Sequence, residues 1–107
     1  SGNDDQVIPI LSLGGIGVIS VLSNVRPAAV HDMVMEFLNG NIKSALDIQL
    51  KYLDLIEALF CEVNPIPVKA AMKLLGYDVG GLRLPLTELE DANCARLKES
   101  MESLKEN

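Results

Sequence analysis

His31 is the one imidazole in the chain, and Asp32 is the only proton-sharing neighbour that sequence places beside it. Nucleophilic catalysis would need a serine or cysteine held against that ring and a group to orient it. Nothing in the spacing supplies either, and a helix-surface position accounts for His31. Cys61 and Cys94 stand apart, without the Cys-x-x-Cys or Cys/His spacing of a metal site, so no metal is expected. They read as small side chains at apolar helix positions, suited to a reducing cytoplasm. Gly14-Gly15-Ile16-Gly17 invites a phosphate-loop reading, but a dinucleotide fingerprint follows a strand and opens a helix. Here the order is reversed, and a tight turn between helix and strand is expected. Ser1-Gly2-Asn3-Asp4 is a glycine-bearing turn ahead of a helix, whose amides could receive an anionic group. Asn64-Pro65-Ile66-Pro67-Val68-Lys69 carries two prolines one residue apart, which fix φ and force extended geometry before each. That makes a rigid corner; the functional alternative is that Asn64 or Lys69 supports a nearby site.

The elements that must position these residues follow from periodicity. Asn3, Asp4 and Asp5 place acceptors and negative charge ahead of Val7, Ile8, Ile10 and Leu11, predicting a helix over about 5–13 that Gly14 and Gly15 end. Pro9 falls within its first turns. Residues 17–22 (GVISVL) are apolar on both alternating faces and rich in β-branched side chains, predicting a strand buried on both sides. Such a strand needs neighbours along both edges, and no second run of this quality exists in the chain. From Pro27 the pattern turns helical, with Val30, Met33, Val34 and Phe37 on one face and Gly40 as the stop. Residues 41–61 carry two apolar stripes: Ile42, Leu46, Leu53, Ile56 and Phe60 on one, Ala45, Ile48, Tyr52, Leu55 and Leu59 on the other. One helix sandwiched between layers is predicted there. A further helix runs from the Pro65–Pro67 corner to Gly76, residues 80–86 form an extended connector, and a last surface helix starts near Glu90 with Cys94, Leu97, Met101 and Leu104 in line.

Composition limits what such a scaffold can do. The 107 residues carry 9 Lys+Arg against 15 Asp+Glu, a formal charge of −6, and 49% are hydrophobic. One globular domain at most is expected, and intrinsic disorder is excluded. The acidic balance repels phosphate backbones, so nucleic acid is not an expected partner. Residues 6–25 carry no charge, but Pro9, Gly14, Gly15, Gly17 and several polar side chains interrupt them, and a membrane span is rejected. The chain opens acidic rather than basic, unlike a secretory signal.

Four segments in order, SGND at residues 1–4, GGIGVISVLSNV at 14–25, NPIPVKAAMKLLG at 64–76 and LRLPL at 82–86, together resemble the C-terminal portion of the dihydrodipicolinate synthase family of pyruvate-dependent lyases. The second and third are the specific ones, and the NPIPVK corner favours this enzyme over the sugar-acid aldolases related to it.

The resemblance implies an α/β fold, a (β/α)8 barrel with a C-terminal helical domain, of which this chain would hold only the end. Residues 1–39 would be the last of the barrel: the end of strand 7, helix 7, strand 8 and helix 8. Residues 40–107 would be the helical domain. The chain itself is then predominantly helical with one core strand, residues 17–22, whose neighbours lie elsewhere. The implied activity is condensation of pyruvate with aspartate semialdehyde to 4-hydroxy-tetrahydrodipicolinate through a lysine Schiff base, without cofactor. That lysine falls in the part of the family pattern absent here, so no catalytic residue is assigned to this chain. Gly2 and Ile19 match positions that contact pyruvate, Ile19 through its main-chain carbonyl. Asn3, where many relatives carry Asp, and Asp4 would lie near the second substrate. Pro9, Ser12 and Leu13 fall on a helix that relatives use for tetramer contacts. A sugar-acid aldolase and a non-catalytic helical interaction module are the alternatives.

Overall fold

The computed structural model describes residues 1–104. A single 3-10 turn at Asp4–Gln6 leads into α1 (Val7–Ser12), and a second at Leu22–Asn24 precedes α2 (Pro27–Leu38). Then come α3 (Ile42–Lys51), α4 (Leu53–Leu59), α5 (Ile66–Leu74) and α6 (Asp91–Ser103). The helix-forming signals act as the sequence predicts. Pro27 opens α2 at a position whose N–H has no helical partner to lose, and Val30 and Met33 are buried while Val34 and Phe37 are half-buried on the same face. No helix among the described residues is long and apolar enough to cross a membrane.

Helix α1 ends in a Schellman closure. Gly14 takes a positive φ of 101°, its N–H donates to the Leu11 carbonyl at 3.1 Å, and the Gly15 N–H donates to Ile10 at 3.0 Å. A side chain at Gly14 would strain that φ, which is why the turn carries glycine. The same closure ends α2 at Gly40 and α5 at Gly76.

Two apolar clusters hold the helices together. One joins Leu22, Val25 and Val30 to Tyr52, Leu55, Ile56, Leu59, Val68, Ala71, Leu97 and Met101. The other joins Val7, Ile8 and Leu11 of α1 to Met33 and Ala45. Val18 and Ile48 pack against both, and each cluster draws residues from either side of position 40.

Two expectations fail here. Residues 17–22 are not a strand buried on both faces: among the described residues none is assigned to a strand, and Ile16 and Ile19 are 85% and 87% exposed. The stretch carries no regular secondary structure as far as Ser20, and Leu22 already belongs to the 3-10 turn. Among the described residues its one backbone-to-backbone partner outside the local turn is Ser1, and one rung does not make a ladder. Residues 41–61 are not one sandwiched helix either. The helix breaks at Tyr52, which adopts φ −97° and ψ 3° between α3 and α4. Of the two stripes, Ala45, Tyr52, Leu55 and Leu59 are buried, whereas Ile42, Leu46 and Phe60 are more than 40% exposed.

The corner at residues 64–67 carries a cis Asn64–Pro65 peptide, but Ile66, expected to be extended ahead of Pro67, is already the first residue of α5, with Pro67 buried in that helix's first turn. Lys69 Nζ donates to the Gly81 carbonyl at 2.7 Å and pins the start of the connector. At its far end Glu62 Oε2 accepts from the Glu90 N–H at 3.0 Å and from Asn93 Nδ2 at 2.9 Å, so a carboxylate from outside α6 caps its N-terminus. Glu62→Ala is expected to cost about 1 kcal/mol, the usual worth of a lost N-terminal cap. Chemical denaturation checks it, and an unchanged midpoint would show that the cap is idle.

Candidate functional site

The functional candidates converge where residues 1–4 meet residues 16–22. The Ser1 backbone nitrogen donates to the Gly17 carbonyl at 2.7 Å, and the Ile19 N–H donates to the Ser1 carbonyl at 2.9 Å. One residue that bonds back to position 17 and forward to position 19 makes the slanted rung of a parallel pair. Ser1 thereby stands opposite Val18, and Gly2 follows Ser1 as Ile19 follows Val18. Gly2 is exposed, and a methyl group built on it would meet nothing within 4 Å. A shallow groove of about 290 Å³ runs over Ser1, Ile16, Gly17, Val18 and Ile19.

Asp4 fixes this junction. It is 2% exposed, and one carboxylate oxygen accepts from the consecutive Val21 and Leu22 amides, each at 3.0 Å. The other accepts from the Ser20 hydroxyl, which in turn accepts from the Ser23 N–H at 2.9 Å. A buried carboxylate is tolerated because every listener around it is a donor, and consecutive amides at a helical turn carry partial positive charge. The sequence assigns Asp4 to the start of the first helix; its side chain instead caps the turn at Leu22–Asn24.

The Asp4 main-chain carbonyl accepts from Gln49 Nε2 at 2.8 Å, and Gln49 Oε1 accepts from the Ile8 N–H at 3.3 Å. Gln49 is 5% exposed and stands on the buried face of α3. Sequence reasoning missed it, although a signal was there: position 49 lies four residues after Ala45 and three before Tyr52, so a polar amide falls in an apolar stripe. Ser20 was also missed.

On the other side of Asp4 a wider cleft of about 490 Å³ is lined by Asn3, Asp4, Asp5, Gln6, Ile56, Glu57, Phe60 and Arg96. Arg96 Nη2 lies 3.8 Å from Glu57 Oε2, a half-exposed pair worth little in water. Asn3 donates through Nδ2 to Gln6 Oε1 at 3.2 Å and remains exposed.

The remaining candidates lie apart. Asn64, Pro65, Pro67 and Lys69 line neither cavity. Pro9, Ser12 and Leu13 are exposed on α1 and its end, Leu13 by 85%, with the Ser12 hydroxyl bonded to the Pro9 carbonyl at 2.6 Å. His31 is exposed on α2, 3.3 Å from Asp32. Cys61 and Cys94 are free thiols, half-buried rather than core. The described residues hold no group of three metal-ligating side chains.

The whole of this arrangement has counterparts of known kind. Over 104 residues the chain is 56% identical to the 4-hydroxy-tetrahydrodipicolinate synthase of Lachnoclostridium phytofermentans, covering 97% of this chain and 35% of that protein. Over 98 residues it is 60% identical to the same enzyme of a Thermoanaerobacter species, covering 92% and 33%. Dihydrodipicolinate synthase of Thermotoga maritima superposes with a TM-score of 0.94 at 41% identity, over 96% of this chain and 35% of the other. The chain thus spans about a third of the length of these relatives. The profile of the dihydrodipicolinate synthetase family matches residues 1–104, from the Ser1 rung through the end of α6, and the chain belongs to that family.

Proposed function

We propose that this chain is the C-terminal portion of a 4-hydroxy-tetrahydrodipicolinate synthase, and that it supplies backbone groups orienting pyruvate to a site whose nucleophile lies elsewhere in the subunit. The observation that carries this reading is the parallel rung between Ser1 and residues 17–19, which puts Ser1 and Ile19 on one groove with Gly2 next in the chain. Parallel pairing with a helical crossover between the two segments is how a (β/α) barrel is built, and its sites assemble at the strands' C-terminal ends. In the proposed division, residues 1–39 finish the barrel and residues 40–107, of which 105–107 lie outside the described residues, belong to the helical domain.

The chemistry assigned to the full subunit is condensation of two carbonyl compounds. A desolvated lysine amine adds to the pyruvate ketone and water leaves, giving an imine; loss of a methyl proton then yields the enamine that attacks the aldehyde of aspartate semialdehyde. In this reading the amine comes from another part of the subunit, and this chain's share is to orient. Ile19 does so by its carbonyl oxygen, a role that asks nothing polar of its side chain. Asn3 and Asp4 border the adjoining cleft, which suits the approach of the second substrate. Exposed Pro9, Ser12 and Leu13 suit contact with another subunit of a homotetramer.

Activity decides the matter. The full-length polypeptide that contains these residues is expected to consume pyruvate with aspartate semialdehyde, and to be trapped covalently by borohydride when pyruvate is present. Residues 1–107 alone are expected to show neither. Turnover with sugar-derived aldehydes and none with aspartate semialdehyde would move the chain to the sugar-acid aldolases, and turnover by residues 1–107 alone would overturn the reading.

A further inference from the structure

We infer that Asp4 and Gln49 are positioning residues for the Ile19 carbonyl, so that a side chain on α3 sets how tightly the site holds pyruvate. The inference rests on the reading that Ile19 faces pyruvate, and it adds the groups that determine where that carbonyl stands.

Ile19 is itself exposed, and its side chain packs against too little to fix it. What fixes it lies on either side along the backbone. Its N–H is held by the Ser1 carbonyl at 2.9 Å. Its carbonyl belongs to the peptide unit shared with Ser20, and from Ser20 onward the chain is held by one carboxylate: the Ser20 hydroxyl and the Val21 and Leu22 amides all donate to Asp4. Asp4 is therefore the anchor that stops the Ile19–Ser20 peptide from rotating.

Asp4 needs an anchor of its own, because it sits in a single 3-10 turn with little helix to brace it. Gln49 provides that anchor by donating to the Asp4 carbonyl while accepting from the Ile8 N–H. With 5% exposure it cannot exchange these partners for water, so losing them would leave a buried donor and a buried acceptor unpaired. The linkage runs Gln49, Asp4, Ser20, Ile19, and each member is a hydrogen bond or a covalent bond.

The test uses the full-length polypeptide with Asp4→Ala, Asp4→Asn and Gln49→Met. Alanine removes every acceptor. Asparagine keeps one oxygen for the Val21 and Leu22 amides and turns its NH2 toward the Ser20 hydroxyl oxygen, which can accept. Methionine keeps the length of Gln49 but neither polar atom. A displaced carbonyl weakens ground-state and transition-state contacts alike, so the KM for pyruvate is expected to rise about tenfold in Asp4→Ala with kcat within about threefold. Asp4→Asn recovers most of the loss, and Gln49→Met falls between them; because Gln49 lines neither cavity, the KM of Gln49→Met for aspartate semialdehyde stays put. A merely structural role would lower the active fraction, and with it kcat, leaving KM alone.

Hydrogen exchange at the Val21 and Leu22 amides supplies the readout that does not depend on turnover. Faster exchange in Asp4→Ala and Gln49→Met than in Asp4→Asn is expected. If Asp4→Ala does not fold, Gln49→Met and Asp4→Asn carry the comparison. Wild-type protein that turns over pyruvate alongside variants with unchanged pyruvate KM overturns this inference and spares the assigned activity. Wild-type protein that does not take pyruvate overturns both.

Discussion

Leu55→Ala is expected to remove about 3 kcal/mol of stability, within the roughly 2–5 kcal/mol seen when a buried leucine is truncated. Leu55 is 0% exposed in α4, inside the cluster that joins the turn at Leu22–Asn24 to α5 and α6. Truncation forfeits its transfer from water and opens a void that the surrounding cluster only partly collapses to fill. Against a total of about 5–15 kcal/mol for a domain, the loss is a large fraction. Leu46→Ala is the control: it removes the same atoms from a residue 41% exposed on α3 and is expected to cost less than about 0.5 kcal/mol. Urea unfolding decides between them, the first midpoint moving down at unchanged slope and the second staying. Equal losses at the two positions would mean that α4 is not the centre of the core.

The second large effect is at Gly15. A Cβ there would stand 2.8 Å from Ile10 Cγ2 and 2.9 Å from the Ile10 carbonyl oxygen. The side-chain contact can be relieved by rotation, but the carbonyl is backbone. It is also the acceptor for the Gly15 and Leu13 amides, so moving it undoes the end of α1. Gly15→Ala is expected to cost about 1–3 kcal/mol, the range for forced overpacking. Gly17→Ala, with nothing within 4 Å, is expected to stay within about 0.5 kcal/mol. The damage should also travel: Gly15 aims the chain back toward Ser1, so in Gly15→Ala the Ile19 amide should lose protection from hydrogen exchange. A Gly15→Ala protein as stable as its parent would show that this turn bears no strain.

Local signals were legible because their partners are a turn away. Pro27, Gly40, Pro67 and Gly76 mark helix ends where the structure has them, and the buried positions of α2 and α6 follow the apolar spacing. GVISVL misled for the opposite reason. Its β-branched run states a preference, but a strand is a relation between segments, and among the described residues Ser1 alone pairs with it backbone to backbone across the chain. Asp4 shows the same limit: its position predicts a cap, and the turn it caps begins 18 residues later. The break at Tyr52 carries no glycine or proline to announce it. The resemblance brought Gly2, Asn3, Asp4 and Ile19 forward as one site; the apolar stripe marks Gln49 as a buried amide, but its partner, Asp4 across 45 residues, is visible only in the structure.

The stretch from residue 82 to 89 lies between two fixed grips, Lys69 on the Gly81 carbonyl and Glu62 on the Glu90 amide. Closing a longer loop between fixed ends costs only about 0.6 kcal/mol for each doubling of its length. Descendants of this protein are thus free to lengthen or shorten that span without shifting α6, so long as both grips survive. Variation in its length across relatives would record evolutionary slack, while the two residues that bound it carry the constraint.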